Sequence, residues 1–264
     1  MVSKLAYILS ILFFFLLSIV ILRIFINSNI VVLFSCGVLS ISCILKILYE
    51  NWEDQRFVIS IVNEFNHYEL YKMVKTLCQK LNIDTPNIYI HNEEFDSSYI
   101  IHNIFGKPRL YINALDLENN DVRVLQASLA HELSHIKLKH GYFTDLFLIN
   151  RLNIILFIIF ILKLISLKID ILGSLIFGFI YITIVPLFLI LTYIKLLSIF
   201  YKYRRKYELE ADTLSVVVTG DKESFINMIT KNGLDCKISN STSSLYDTHP
   251  TCLERINSII KQNI

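Results

Sequence analysis

Leu129-Ala130-His131-Glu132-Leu133-Ser134-His135-Ile136 is the stretch that decides how this chain is read. Its apolar residues fit a helix, and the pattern extends from about Asp121 to His140, with Gly141 placed to cap the C-terminal end. Residues four apart share a helix face, so the imidazoles of His131 and His135 can reach one metal ion. Glu132 then lies beside the open position of that ion, where it can take a proton from a water whose pKa zinc lowers to about 7. Chance is the bland alternative, and the helical apolar context argues against it. Two histidines do not complete a catalytic zinc centre, which usually has three protein ligands. A third must come from elsewhere.

Outward from this helix the chain is dominated by apolar runs. Hydrophobic residues make up 54% of the 264 and mean hydropathy is +0.53. Soluble domains of this length seldom reach that balance, because polar residues must cover their surface. Leu5 to Leu22 is an uncharged run of 18 residues, enough for a helix to cross a bilayer. A secretory signal is the competing reading, but the run is long for one and no small-residue cleavage site follows. Ile30 to Leu45 is a second such run after the polar turn Asn27-Ser28-Asn29, making a hairpin. Leu152 to Leu162 and Ile171 to Ile194 form a later pair, the latter with Pro186 as a candidate kink. The former is bracketed by Arg151 and Lys163, whose long side chains can snorkel to opposite interfaces; a re-entrant segment is the alternative.

With four crossings, Lys4, Arg56, Lys137, Lys139, Lys202, Arg204, Arg205 and Lys206 share one side, and Arg23 and Lys168 fall on the other. The tendency of Lys and Arg to stay inside puts both termini and the long middle segment in the cytoplasm. A net charge of +2 suggests no nucleic-acid partner. The five cysteines are odd in number and form no CxxC pair, which argues for reduced thiols over a disulfide framework.

The polar parts read as follows. Trp52 to Asn82 has roughly helical spacing at Phe57, Ile61, Phe65 and Leu70, and Thr85-Pro86 stops it. Asn87 to Ile90, Ser98 to Ile101 and Arg109 to Ile112 are short strands, with a turn at Gly106-Lys107-Pro108. A helix from Lys202 to Thr219 continues out of the membrane and ends at Gly220. Lys222 to Lys231 and Thr251 to Lys261 are further helices, with a polar loop at Ser239 to Tyr246. The best source of a third ligand is Glu208-Leu209-Glu210-Ala211-Asp212, on the helix emerging at the membrane surface. Alone, those carboxylates would read as a solvated helix face.

The HExxH stretch, a membrane helical pair, Arg205-Lys206-Tyr207-Glu208-Leu209-Glu210-Ala211-Asp212, and then Thr248-His249-Pro250 with Glu254-Arg255-Ile256 together resemble the HtpX-like membrane metalloproteases. These are relatives of the CAAX prenyl endopeptidases among the gluzincins, and the resemblance spans essentially the whole chain. It implies one Zn2+ per chain on His131, His135 and Glu208, with Glu132 as general base. It further implies Asp212 orienting a ligand imidazole, Arg205 in a structural ion pair, and His249 donating to the oxyanion. Glu210 reads as a surface residue, and His67, His91, His102 and His140 as surface or packing residues. Where the family carries Asn-Ala-Phe on the strand before the HExxH helix, this chain has Ser97-Ser98-Tyr99. Substrate recognition by strand addition needs no particular side chain, so it survives the difference.

The expected fold is mainly α: four transmembrane helices plus a cytosolic α+β zincin-type protease domain with a small edge sheet. Its parts are a hairpin at 1–49, the first protease segment at 50–145, a second membrane pair at 146–200 and the second protease segment at 201–264. His135 and Glu208 lie 73 residues apart across the apolar pair, so one ion can join them only if an even number of crossings intervenes. The expected function is zinc-dependent hydrolysis of peptide bonds in membrane or membrane-associated proteins at the cytoplasmic membrane, with the bilayer and protein or peptide substrates as partners. The alternative is a metal-binding membrane scaffold or chaperone-like protein, in which Glu132 would be dispensable.

Overall fold

The computed structural model describes residues 58–92, 98–102, 107–119, 121–141, 175–232 and 249–261, with the side chains of the longest helix described continuously from Leu197. In chain order the elements are β1 (Val58–Val62), α1 (Tyr68–Leu81), β2 (Asn87–His91), β3 (Tyr99–Ile101), β4 (Arg109–Asn113), α2 (Ala114–Asn119), α3 (Val122–Leu138), α4 (Leu175–Thr219), α5 (Lys222–Asn232) and α6 (Cys252–Lys261).

The strands form one sheet in the order β1-β2-β4-β3, with β2 and β4 parallel and both outer pairs antiparallel. Side chains alternate across a sheet, so Ile88 and Ile90 of β2 share a face with Leu110 and Ile112 of β4. All four are buried in one core with Val74, Leu77, Cys78 and Leu81 of α1 and Leu125, Leu129, Ala130 and Leu133 of α3. Spacings of three and four along both helices give each the stripe this packing needs. On the other face Tyr111 stacks between Tyr89 and Tyr99, with ring centroids 5.2 and 5.0 Å away, because the register sets the three side by side. Ser98 Oγ donates to Asp116 Oδ2 at 2.8 Å and accepts from the Asn113 N–H, tying the start of β3 to β4 and α2.

A second core joins Val124 and Ala127 of α3 to Val216 of α4, Phe225, Met228 and Ile229 of α5, and Cys252 and Ile259 of α6. Helix α3 is therefore buried on two sides. Ala127, Ala130 and Ala211 are fully buried, and their small side chains permit α3 and α4 to approach closely. The Ser215 hydroxyl of α4 reaches the Ala127 carbonyl at 3.5 Å. The packing of this helix pair is what brings two distant parts of the chain together.

Three local expectations are corrected. The helical spacing over Trp52 to Asn82 holds only from Tyr68 onward: Val58–Val62 is a strand, and Phe65, at the turn after it, is 98% exposed. Helix α3 is capped not by Gly141 but by Lys139, whose left-handed backbone (φ 60°) donates its N–H to the His135 and Ile136 carbonyls. Gly141 serves a different need, a close approach to the His102 ring that a Cβ would obstruct. The expectation of reduced thiols holds for buried Cys78, but Cys252 is disulfide-bonded.

The strands at 87–91, 99–101 and 109–113 and the helices at 202–219, 222–232 and 252–261 agree with the sequence reading. Gly220 ends α4 as expected, at φ 69°, with its N–H on the Val216 carbonyl. Among the described residues no helix is long and apolar enough to cross a membrane. The expected crossings at Leu5 to Leu22, Ile30 to Leu45 and Leu152 to Leu162 lie outside those residues, as does the loop at Ser239 to Tyr246. For the expected crossing at Ile171 to Ile194, the helical path runs unbroken from Leu175 through Pro186, and most of its side chains are likewise outside the description.

Candidate metal centre

His131 and His135 sit one turn apart on α3, and Glu208 projects from α4 toward both. His131 Nε2 lies 3.2 Å from His135 Nε2 and 3.4 Å from Glu208 Oε2, and His135 Nε2 lies 3.7 Å from Glu208 Oε1. One ligand atom from each of the three falls within 4.8 Å of the others. Two neutral imidazole nitrogens and a carboxylate oxygen, crowded around one point, are the donor set that suits a divalent metal of the zinc kind. Of the described residues, these form the group that could hold a metal ion.

The surrounding contacts orient the donors. His131 Nδ1 faces Asp212 Oδ1 at 2.9 Å, a contact that keeps the ring hydrogen on Nδ1 and leaves the Nε2 lone pair facing the centre. Asp212 is fully buried and gripped by Arg255 of α6 through two bonds, Nε to Oδ2 at 2.8 Å and Nη2 to Oδ1 at 2.6 Å. A capping box starts α6: the Thr251 N–H donates to Glu254 Oε2 and the Glu254 N–H to Thr251 Oγ1, at 2.9 and 3.2 Å. That fixes the helix end from which Arg255 reaches in. His249, more than half exposed just ahead of this cap, has Nδ1 3.4 Å from Glu208 Oε2.

The match to known families has the same boundaries. Peptidase family M48 matches residues 69–263, from α1 to the end of α6. The chain belongs to peptidase family M48. Its relatives include the plastoglobule-localized metallopeptidase 48 of Arabidopsis thaliana, 30% identical over 73 residues, covering 28% of this chain and 21% of that protein. Protease HtpX homolog 1 of Sulfolobus acidocaldarius is 33% identical over 70 residues, 26% of this chain and 22% of that one. Among solved structures, S. mikatae Ste24p superposes with a TM-score of 0.58 at 17% identity, covering 86% of this chain. The shared fold spans 56% of that larger chain, and the aligned stretches span about a fifth of the two curated relatives.

The electrostatics of this M48 site follow from burial and from the carboxylates of α4. Burial works to lower the pKa of His131, but hydrogen bonds to Asp212 and Glu208 outweigh it and raise it to about 10. The site thus draws in a positive charge, which a proton supplies when no metal does. His135 is pushed the other way, to about 3, by burial and by the charge on His131, so its lone pair is free. Although burial works to raise it, the Glu208 carboxyl is held well below the usual range by hydrogen bonds from His131 and His249. Asp212 is likewise low, burial being overcome by Arg255 and His131. Burial pushes the Glu132 carboxyl up to about 7, with His131 opposing and Glu208 reinforcing. A carboxyl titrating near neutrality beside a metal centre is poised to accept a proton and return it.

The structure brings His131, Glu132, His135, Glu208, Asp212 and His249 together. Arg205 is half-buried three residues before Glu208, and the guanidinium on Asp212 is that of Arg255. In the sequence Arg255 stands out only as part of a motif, since nothing local says that a helix some 40 residues on folds back to Asp212. His140 and Glu210, expected to be a packing and a surface residue, both reach the site. His140 Nδ1 lies 3.0 Å from His135 Nδ1, and His140 Nε2 lies 3.3 Å from Glu210 Oε2. Spacing of five from His135 puts His140 off the ligand face of a continuous helix, and only the Lys139 turn brings it back.

Proposed function

We propose that this chain is a zinc-dependent endopeptidase that cleaves membrane or membrane-associated proteins beside the bilayer. The supporting observation is the convergence of His131, His135 and Glu208, on two helices with His135 and Glu208 73 residues apart, and with Glu132 next to the first. A zinc ion held there would polarise a scissile carbonyl and acidify a water molecule. Glu132 takes the proton from the attacking water and passes it to the leaving amine. Asp212, braced by Arg255, keeps His131 in the tautomer a metal ligand requires. His249 stands at the solvent side of Glu208 and donates to the oxyanion; Arg205 has a structural role in α4.

Substrate enters as an added strand. In the order β1-β2-β4-β3 the strand β3 is an edge, and it packs beside α3. Main-chain bonds to its outer side would hold an extended peptide along the metal centre. Ser98, which stands where relatives by resemblance carry Ala, contributes by fixing β3 through Asp116 and not by touching side chains of the substrate.

Four bilayer crossings, at the runs beginning at Leu5, Ile30, Leu152 and Ile171, accord with the uncharged lengths and with the need for an even number between His135 and Glu208. The distribution of Lys and Arg supports a cytoplasmic catalytic face. The decisive test of the activity uses full-length protein in detergent, loaded with zinc and given unfolded casein. Cleavage by the parent and not by Glu132→Gln is expected; cleavage that persists in the variant would overturn the mechanism, and Glu132 would be the dispensable residue of a scaffold.

A further inference from the structure

We propose that His140 is a positioning residue of the metal centre, holding the second ligand, His135, through a relay that ends on Glu210. This rests on the metal-centre reading above and adds to it a support that no sequence motif signals.

The argument is one of proton counting. His135 turns Nε2 toward His131 and Glu208, at 3.2 and 3.7 Å, so Nε2 is the nitrogen that must offer a lone pair. A neutral imidazole with a free Nε2 carries its hydrogen on Nδ1. That Nδ1 lies 3.0 Å from Nδ1 of His140, which must therefore accept. His140 then carries its own hydrogen on Nε2, and Nε2 lies 3.3 Å from Glu210 Oε2, an acceptor. Each ring nitrogen has one assigned role, and no other pair of neutral tautomers satisfies all three contacts.

The ring of His140 is held as a part of a site would be. It is 6% exposed and stacks on Tyr207 at 4.3 Å with the planes 14° apart. The left-handed Lys139 ends α3 and turns the chain so that the next side chain faces back along the helix. Lys206 Nζ, one helical turn earlier on α4, lies 3.5 Å from Glu210 Oε1. A histidine that merely filled space would need packing alone; it would not need both nitrogens matched to a donor and an acceptor. The arrangement also mirrors the other ligand. His131 is oriented directly by Asp212, and His135 is oriented by Glu210 at one remove, so α4 supplies the ligand carboxylate and a supporting carboxylate for each histidine.

The test measures zinc affinity of the full-length protein in detergent, by titrating metal-free samples against a competing chromophoric chelator. His140→Phe keeps the ring stack but cannot accept, and it is expected to weaken zinc binding by about 10–100-fold, the usual cost of losing a ligand's hydrogen-bond partner. Metal-free unfolding of each variant is followed alongside, so that zinc affinity is compared only between folded proteins. His140→Gln, whose carbonyl can accept from His135 and whose amide can donate to Glu210, should recover most of the affinity. Equal affinity of His140→Phe and the parent, or a His140→Gln as weak as His140→Phe, would overturn the proposal while leaving the metal centre intact. A parent that binds no zinc would overturn the metal centre and this proposal with it. If His140→Phe does not fold, Glu210→Ala at the exposed end of the relay reads the same contact: weaker zinc binding is expected, and unchanged binding overturns the relay.

Discussion

At the scale of single residues, the site sets several carboxylates in one buried region and assigns them different work. Glu132 is left protonatable near neutrality, whereas Glu208 and Asp212 are kept ionised by their partners. Glu132→Gln should lower the rate of casein cleavage by about 10²–10⁴-fold, the range for losing a general acid–base, with zinc content per chain unchanged. Asp212→Asn should keep the shape of the contact but lose the charge that draws on His131. Zinc affinity should fall by about 10–100-fold, read by chelator competition.

The raised pKa of His131 also makes a statement about the metal-free protein. Its folded value of about 10 lies above an unfolded value of 6.5, so the folded state binds the proton more tightly. The stability this adds is fully present below 6.5 and is lost as pH rises toward 10. Metal-free protein should therefore show a falling denaturation midpoint across that window, and zinc-loaded protein a much flatter profile, because the ion takes the place of the proton. Equal slopes for the two forms would mean that His131 is not a ligand.

At the scale of elements, everything depends on how closely α3 and α4 pack. Ala211→Leu introduces three extra carbons at a fully buried position between Glu208 and Asp212. Overpacking of this kind costs about 1–3 kcal/mol, and by shifting α4 against α3 it should weaken zinc binding as well as lower the unfolding midpoint. Elements with a strong local signal are legible in the amino-acid order alone. Alternating apolar residues bounded by turns mark β2 and β4, and the apolar stripe of α3 marks the helix that carries both histidines. The strand β1 stands where the spacing predicts a helix, since Phe57, Ile61 and Phe65 imitate a period near four. In this outer strand Val58 and Val62 face inward while Ile59 and Ile61 face out, so apolar residues on both faces hide the period of two. The ligand triad can be read from motifs in order, but the contacts of Arg255, His140 and Glu210 cannot. Their roles depend on helix docking and on one left-handed residue, which are properties of the folded chain.

At the scale of the whole molecule, two chain segments separated by the apolar stretch between them share one centre, and the proposed crossings require both segments to emerge on one face. The distribution of lysine and arginine supports the proposed cytoplasmic placement. Labelling intact cells with a membrane-impermeant amine reagent, which the exposed Lys202 and Lys206 can meet, tests that placement. No labelling of these lysines until the membrane is opened is expected for the cytoplasmic placement; their labelling in unopened cells would reverse it.

The grip of Arg255 on Asp212 has a consequence in time. A ribosome delivers the paired imidazoles first, the ligand carboxylate some seventy residues later, and the guanidinium that braces the assembly later still. A nascent chain therefore carries the paired imidazoles without their third ligand or its brace, and on the reading proposed above it becomes competent for hydrolysis only once α6 has been made.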